Sequence, residues 1–388
     1  MRILMKLLFP LFFLLHCLGM GDSSKSPKNL EFYLPNLFYN HYFGKFVPVA
    51  NPNHARKYHT ASVLFDGKVL IAGGYYSTGT DPSEVYNPES GTFTLTGNMI
   101  VARNTHSATV LTNGNVILIG GTTPSTALRD SEIFQASSNT FVAGPSMSSA
   151  RFGHTATLLN TGKILIIGGY LAGETLATTE VYDPNTNTFS TSGSLSSARG
   201  NHTATLLPDG KVLVIGGYNH ISSLSLNTTE IYDPATGTFS SGPSMQENRF
   251  GHAATKINSN EIMITGGFYN NNTLKTTEIY SISENSFRSG PTMIGNKYQH
   301  SASLLADGRL LVAGGIGSSG AGNFFYLNLA EIYTPSLGNF TKINNLLYTK
   351  SGHTSSNLLD GSILLLGGIG VNNTTVDTAE RYIQEYSF

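Results

Sequence analysis

Short apolar runs separated by turn residues recur along the whole chain. Residues 201–242 serve as the type example. His202–Leu207 ("HTATLL") alternates small or apolar residues with threonine, the period-two pattern of a strand with two different faces. Asp209-Gly210 is a hairpin signal. "KVLVIGG" over 211–217 is an uninterrupted apolar strand that ends in two glycines. "TTEIYDP" over 228–234 is a third strand, stopped by proline. "GTFSSG" over 237–242 is a short fourth strand after a glycine turn. The pattern therefore predicts four antiparallel strands in about 50 residues.

The same unit repeats. Glycine pairs stand at 73–74, 120–121, 168–169, 216–217, 266–267, 314–315 and 367–368. Fourteen residues before each pair is a histidine: His59, His106, His154, His202, His252, His300 and His353. Three residues before each histidine is a base: Arg56, Arg103, Arg151, Arg199, Arg249, Lys297 and Lys350. After each pair comes a glutamate two residues before an aromatic ring. The glutamates are Glu84, Glu132, Glu180, Glu230, Glu278, Glu331 and Glu380. A four-stranded sheet cannot bury both faces alone, whereas seven packed radially can, and packing also removes exposed edges. The sequence thus predicts an all-β, seven-bladed propeller over 39–388.

Closure can be read as well. Phe93, Phe141, Phe189, Phe239, Phe287 and Phe340 each precede the next base by ten residues. The seventh repeat ends without such a strand, and Phe46 lies ten residues before Arg56. The strand around Phe46–Val49 is expected to complete the blade begun at Lys350.

Composition narrows the function classes. The formal net charge is −1 and charged residues make up 12%, so no basic field for nucleic acid exists. The N-terminus reads as an export signal over 1–21: Arg2 and Lys6, then an apolar run from Leu7 to Leu15, too short to cross a bilayer. The single cysteine follows, in Leu14-Leu15-His16-Cys17, which resembles a bacterial lipobox apart from His16. Either Cys17 is lipidated or cleavage near Gly19 or Gly21 removes it. Residues 22–38 form a spacer. The expected location is the outer membrane or cell surface of a bacterium by a lipid anchor, otherwise the periplasm or the medium.

The repeat, a diglycine after apolar residues and then a tyrosine, resembles the kelch repeat over residues 46–388. The fourth strand carries Phe where kelch repeats commonly have Trp. The complete absence of Trp sets aside the WD-type propeller. The resemblance extends to the propeller of galactose oxidase, whose copper site needs a cysteine crosslinked to a tyrosine. No cysteine follows Cys17, so copper radical chemistry is not expected. No metal or other cofactor is expected either.

Sevenfold recurrence assigns the bases, histidines and glutamates to the frame, since a catalytic set normally occurs once. The glycine pairs lack the lysine and hydroxyl of a P-loop and the spacing of the dinucleotide fingerprint. Ligand contacts are expected where copies differ, in the loops after the glycine pairs: Tyr75, Tyr170, Tyr218, Phe268, Phe324, Phe325 and Tyr326. The expected function is a non-enzymatic, exported or lipid-anchored propeller that binds a protein partner or a glycan through this loop face. The alternative is a sugar-modifying enzyme on the same frame, such as a sialic acid mutarotase. An intracellular adaptor role conflicts with the leader.

Overall fold

The computed structural model describes residues 44–75, 82–320 and 322–384. Cys17 and the expected leader and spacer lie outside them. Lys45–Gln384 form one compact unit. It is a seven-bladed β-propeller, each blade a four-stranded antiparallel sheet. No helix among the described residues is long and apolar enough to cross a membrane.

The four strands of the type repeat are Thr203–Leu206, Val212–Ile215, Thr229–Asp233 and Thr238–Ser241. The second strand is apolar throughout because both of its faces are covered by neighbouring blades. Its residues alternate between two junctions. Leu165 and Ile167 of the third blade pack with Val212, Val214 and Tyr232 of the fourth. Leu213 and Ile215 then pack with Ile262, Ile264 and Tyr280 of the fifth. The core is thus a series of apolar seams between blades. Within each blade the tyrosine or phenylalanine after the glutamate packs on the fourth-strand phenylalanine, as in Tyr182–Phe189 at 5.1 Å and Tyr232–Phe239 at 5.0 Å. Phe occupies that place without loss of the contact.

The seventh sheet closes as expected. Lys45–Pro48 pairs antiparallel with Ala379–Ile383, and Phe46 is in register with Tyr382. Their rings lie 5.2 Å apart, the spacing found in the other blades. One feature was not expected. Four of the loops after the glycine pairs fold into two-stranded hairpins: Tyr170–Thr175, Tyr218–Ser225, Phe268–Thr273 and Ile316–Tyr326. These loops stand at the same end of the propeller as the bases.

Candidate functional site

The recurring polar residues tie the blades together at the loop end. Arg151 donates through Nη1 to Gly168 O (2.9 Å) and Thr178 O (2.9 Å), and its Nη2 pairs with Glu180 Oε1 (3.0 Å). Glu180 also accepts from Ser148 N at 2.8 Å, clamping the chain that arrives from the previous blade. Seven such ion pairs, at 2.6–3.0 Å, recur. A planar guanidinium fork suits this mixture of carbonyls and carboxylate. Lys297 and Lys350 reach Glu331 and Glu380 as point charges. Burial lowers the pKa of Arg151, Arg199, Lys297 and Lys350, and the glutamate partner opposes that shift.

Each histidine reaches sideways. His154 Nε2 meets Ser107 Oγ at 2.8 Å and His202 Nε2 meets Thr155 Oγ1 at 2.9 Å, each hydroxyl lying in the preceding blade. Burial holds the His154, His252 and His353 imidazoles down at about 3, so they are neutral. The glycine pairs complete the junction. Gly169 N donates to Arg199 O of the next blade at 2.9 Å. A Cβ on Gly168 would lie 2.4 Å from that carbonyl oxygen, and both glycines have positive φ. Close approach and left-handed backbone together require glycine here.

A second ring of backbone bonds surrounds the axis at the same end. The residue two after each base has φ of 50–60°: Tyr58, Thr105, Gly153, Asn201, Gly251, Gln299 and Gly352. Each donates its N–H to the equivalent carbonyl of the preceding blade, at 2.9–3.4 Å, and Tyr58 N to Gly352 O closes the circle. Tyr58 lies over Gly352, Asn201 over Gly153 and Gln299 over Gly251, so the glycines make room for a neighbour's side chain.

Around this annulus the hairpins carry a chain of rings. Phe152 contacts Tyr170 (5.5 Å), Tyr170 contacts His220 (4.6 Å), and His220 contacts Tyr218 (5.1 Å). Tyr218 contacts Phe250 (5.0 Å), Phe250 contacts Phe268 (5.4 Å), and Phe268 contacts Tyr298 (5.1 Å) and Phe324 (5.7 Å). The arc covers the third to sixth blades. Opposite it stand Asn104, Thr122 and Lys57, whose Nζ lies 5.2 Å from the Tyr75 ring centroid.

The sequence-predicted contact residues separate into two kinds. Phe324 and Phe325 are 46% and 45% exposed, and Tyr75 is exposed beside Lys57. Tyr218 and Phe268 are half-buried within the arc. Tyr326 donates to Asn373 Oδ1 at 3.0 Å. Tyr170 is only 3% exposed; its ring lies over Gly200, its hydroxyl bonds Tyr218 O, and burial pushes its pKa up. It supports the arc from beneath. The buried arginines do not flank the aromatic rings as ligand donors. Phe152, Phe250 and Tyr298 were missed, although all three directly follow a base and align across repeats.

Residues 58–267 match the family model described as the KLHDC2/KLHL20/DRC7 Kelch-repeats domain, and residues 249–294 match the kelch motif. Among solved structures, one titled "Novel fungal alcohol oxidase with catalytic diversity among the AA5 family, in complex with copper" superposes with a TM-score of 0.73. The match covers 88% of this chain and 76% of that one at 18% identity, a likeness of fold. No curated protein matches the chain. The donor set does not fit a copper ion. Among the described residues no three His, Cys, Asp or Glu side chains converge, and the axial imidazoles are held by hydroxyls.

Proposed function

We propose, from the premise that the chain belongs to the kelch-repeat family of β-propellers, that it is a non-enzymatic binding propeller that docks a partner on its loop face. One observation carries this reading: a continuous aromatic arc crosses four blades at one end, and its last ring, Phe324, is open to solvent. Aromatic rings bury large contact area at low entropic cost and dominate interfaces. The repeated charges, by contrast, are engaged inside the blades. The expected partner is a protein, with a glycan as the second reading, because tyrosine beside asparagine can stack on and hydrogen-bond a sugar. We also propose that the protein acts outside the cytoplasm, on the strength of the Leu7–Leu15 run and Cys17. Mass spectrometry of the mature N-terminus tests that; an intact Met1 in cells would reject it.

The binding reading is tested by screening the full chain against peptide and glycan arrays, beside the Phe324→Ser/Phe325→Ser double variant. Binding by the wild type that drops at least about tenfold in the variant is expected. Robust turnover of an anomeric sugar, followed by NMR, would favour the enzyme alternative instead.

A further inference from the structure

The loops after the glycine pairs differ from the rest of the molecule in charge. In blades four to seven they span 218–229, 268–274, 316–330 and 369–376, and none of the four contains Asp, Glu, Lys or Arg. The one imidazole, His220, is packed between the Tyr170 and Tyr218 rings. The first charges, Lys275 and Asp377, come after the fifth- and seventh-blade loops have ended. At the opposite end of the propeller, turns between first and second strands carry Asp66 with Lys68, Asp209 with Lys211 and Asp307 with Arg309. The two ends of the axis are therefore unlike. One is charged, and the other has a sector four blades wide whose loops carry no charge.

The tips of these loops are apolar. Ile221 is 73% exposed and Val371 65%, and Leu224, Tyr269, Phe324 and Phe325 are exposed as well. Large apolar side chains in water are ordinary when scattered and informative when gathered at one end. The backbone of the tips bonds within itself. Three of the loops are paired hairpins. In the fourth blade Asn219 Oδ1 accepts from Ile221 N at 2.9 Å and Ser222 N at 3.2 Å. In the sixth, Ser319 N donates to Asn323 O at 3.1 Å. In the seventh, Thr374 Oγ1 donates to Val371 O at 2.8 Å. Such bonds lower the cost of taking a loop tip out of water.

We infer that these four loops form a lipid-docking surface, whose tips seat in the headgroup and upper acyl region of a zwitterionic bilayer. Three features select a bilayer. Charged groups are the costly ones to move into the membrane interface, and these loops lack them. Tyr269, Phe324 and Phe325 are aromatic side chains of the kind that settle at the membrane–water boundary. The six apolar side chains stand on separate tips with Asn and Ser between them. A folded protein needs one contiguous complementary patch, whereas lipids rearrange around each tip. Glu174, at the exposed tip of the third-blade hairpin, marks one edge of the surface. This inference goes beyond the partner reading and does not need it. The aromatic arc is built from the roots of the hairpins and from residues beside the repeated bases, and only Phe324 belongs to both.

Cys17 is the only cysteine, so a full-length Cys17→Ser chain can be labelled at one chosen position. In that background Leu224→Cys, Val371→Cys and, at the opposite end beside Asp66 and Lys68, Glu89→Cys each carry an environment-sensitive fluorophore. A local label reads which end meets lipid even where the leader holds the chain on a vesicle. Each chain is mixed with phosphatidylcholine vesicles, and with vesicles containing phosphatidylglycerol as a separate arm. Emission from positions 224 and 371 should move to the blue with phosphatidylcholine and be quenched by a spin-labelled lipid, equally at about 0.1 and 1 M salt. Position 89 should not respond. Adding Ile221→Ser/Leu224→Ser should raise the lipid needed for the response at 371 at least about tenfold. No response at either tip, an equal response at position 89, or a response seen only with phosphatidylglycerol and lost at high salt each overturns the lipid surface. So does a response at 371 that the serine pair leaves unaltered. Partner docking is read separately, by array binding of wild type against Phe324→Ser/Phe325→Ser, and stands or falls on that result alone.

Discussion

Ala253 is the single departure from a rule that holds at the other six blade junctions. The residue after each histidine carries a hydroxyl, Thr or Ser, at 60, 107, 155, 203, 301 and 354. That hydroxyl receives the next blade's imidazole, as Ser301 receives His353 at 2.9 Å. At 253 the hydroxyl is missing, and His300 Nε2 bonds Thr265 Oγ1 at 2.8 Å instead. Thr265 is the cross-strand partner of Ala253. The hydroxyl has moved one strand over, and the bond is kept. Thr265→Val should leave a buried imidazole unpaired and cost about 1–3 kcal/mol. Adding Ala253→Ser should recover most of it, a coupling that a double-mutant cycle in urea reads directly. Additive effects would show that His300 does not need the bond. Lys297 offers the opposite experiment. Lys297→Arg supplies the fork that reaches Gly and third-strand carbonyls in the arginine blades. A gain of about 1 kcal/mol, or about 2 °C in melting temperature, is expected; a lower melting temperature would mean that the sixth blade is too tight for it.

At the scale of strands and loops, what was legible is what repeats. The apolar run ending in glycines is buried on both faces in every blade, so its sequence carries no alternation and its burial could be read from composition alone. Phe46 was placed in the seventh blade by a ten-residue offset that six other phenylalanines share. The hairpins were not legible, because two-residue strands such as Tyr218–Asn219 are too short for any periodic signal. The annulus was hidden for another reason: Tyr58, Thr105 and Gln299 are residue types that do not announce positive φ. The arc as a whole is not legible because three of its eight rings, Phe152, Phe250 and Tyr298, stand beside the bases and not in the loops after the glycine pairs. The base-glutamate clamp is the element on which the loop end depends. Glu180→Ala would strand Arg151 and the Ser148 and Ser149 N–H groups in a buried setting. A loss of about 3–5 kcal/mol is expected, measured by the urea midpoint. A loss under about 1 kcal/mol would indicate that water replaces the carboxylate.

For the whole molecule, stability depends on closure and on the charge state of its axis. Removing Lys45–Pro48 leaves Ala379–Ile383 as an exposed edge strand, paired only with Ile363–Leu366, and opens the seam in which Phe46 meets Tyr382. The single cooperative melt should broaden or split; an unchanged transition would mean that six junctions suffice. Acid acts on all seven junctions together. The imidazoles are buried between blades and beside a cationic base, and both effects favour the neutral form. In the folded state His154, His252 and His353 titrate at about 3, and His59, His106, His202 and His300 well below their ordinary value. Unfolded histidine takes its proton near pH 6.5. Below that pH the unfolded chain binds more protons than the folded one, so stability falls as pH drops. The contribution is complete above about pH 7 and is lost progressively from about 6.5 toward 3, at up to about 1.4 kcal/mol per unit for each imidazole. Most carboxylates still hold their charge at pH 5, so the window from 6.5 to 5 isolates the histidines. Urea midpoints should be level between pH 8 and 7 and fall steeply below 6.5. His154→Gln keeps a group able to bond Ser107 but removes the titration, and should reduce the slope by about one-seventh. A midpoint that stays level from pH 7 to 5 would rule out the neutral-imidazole ring as the source of acid sensitivity.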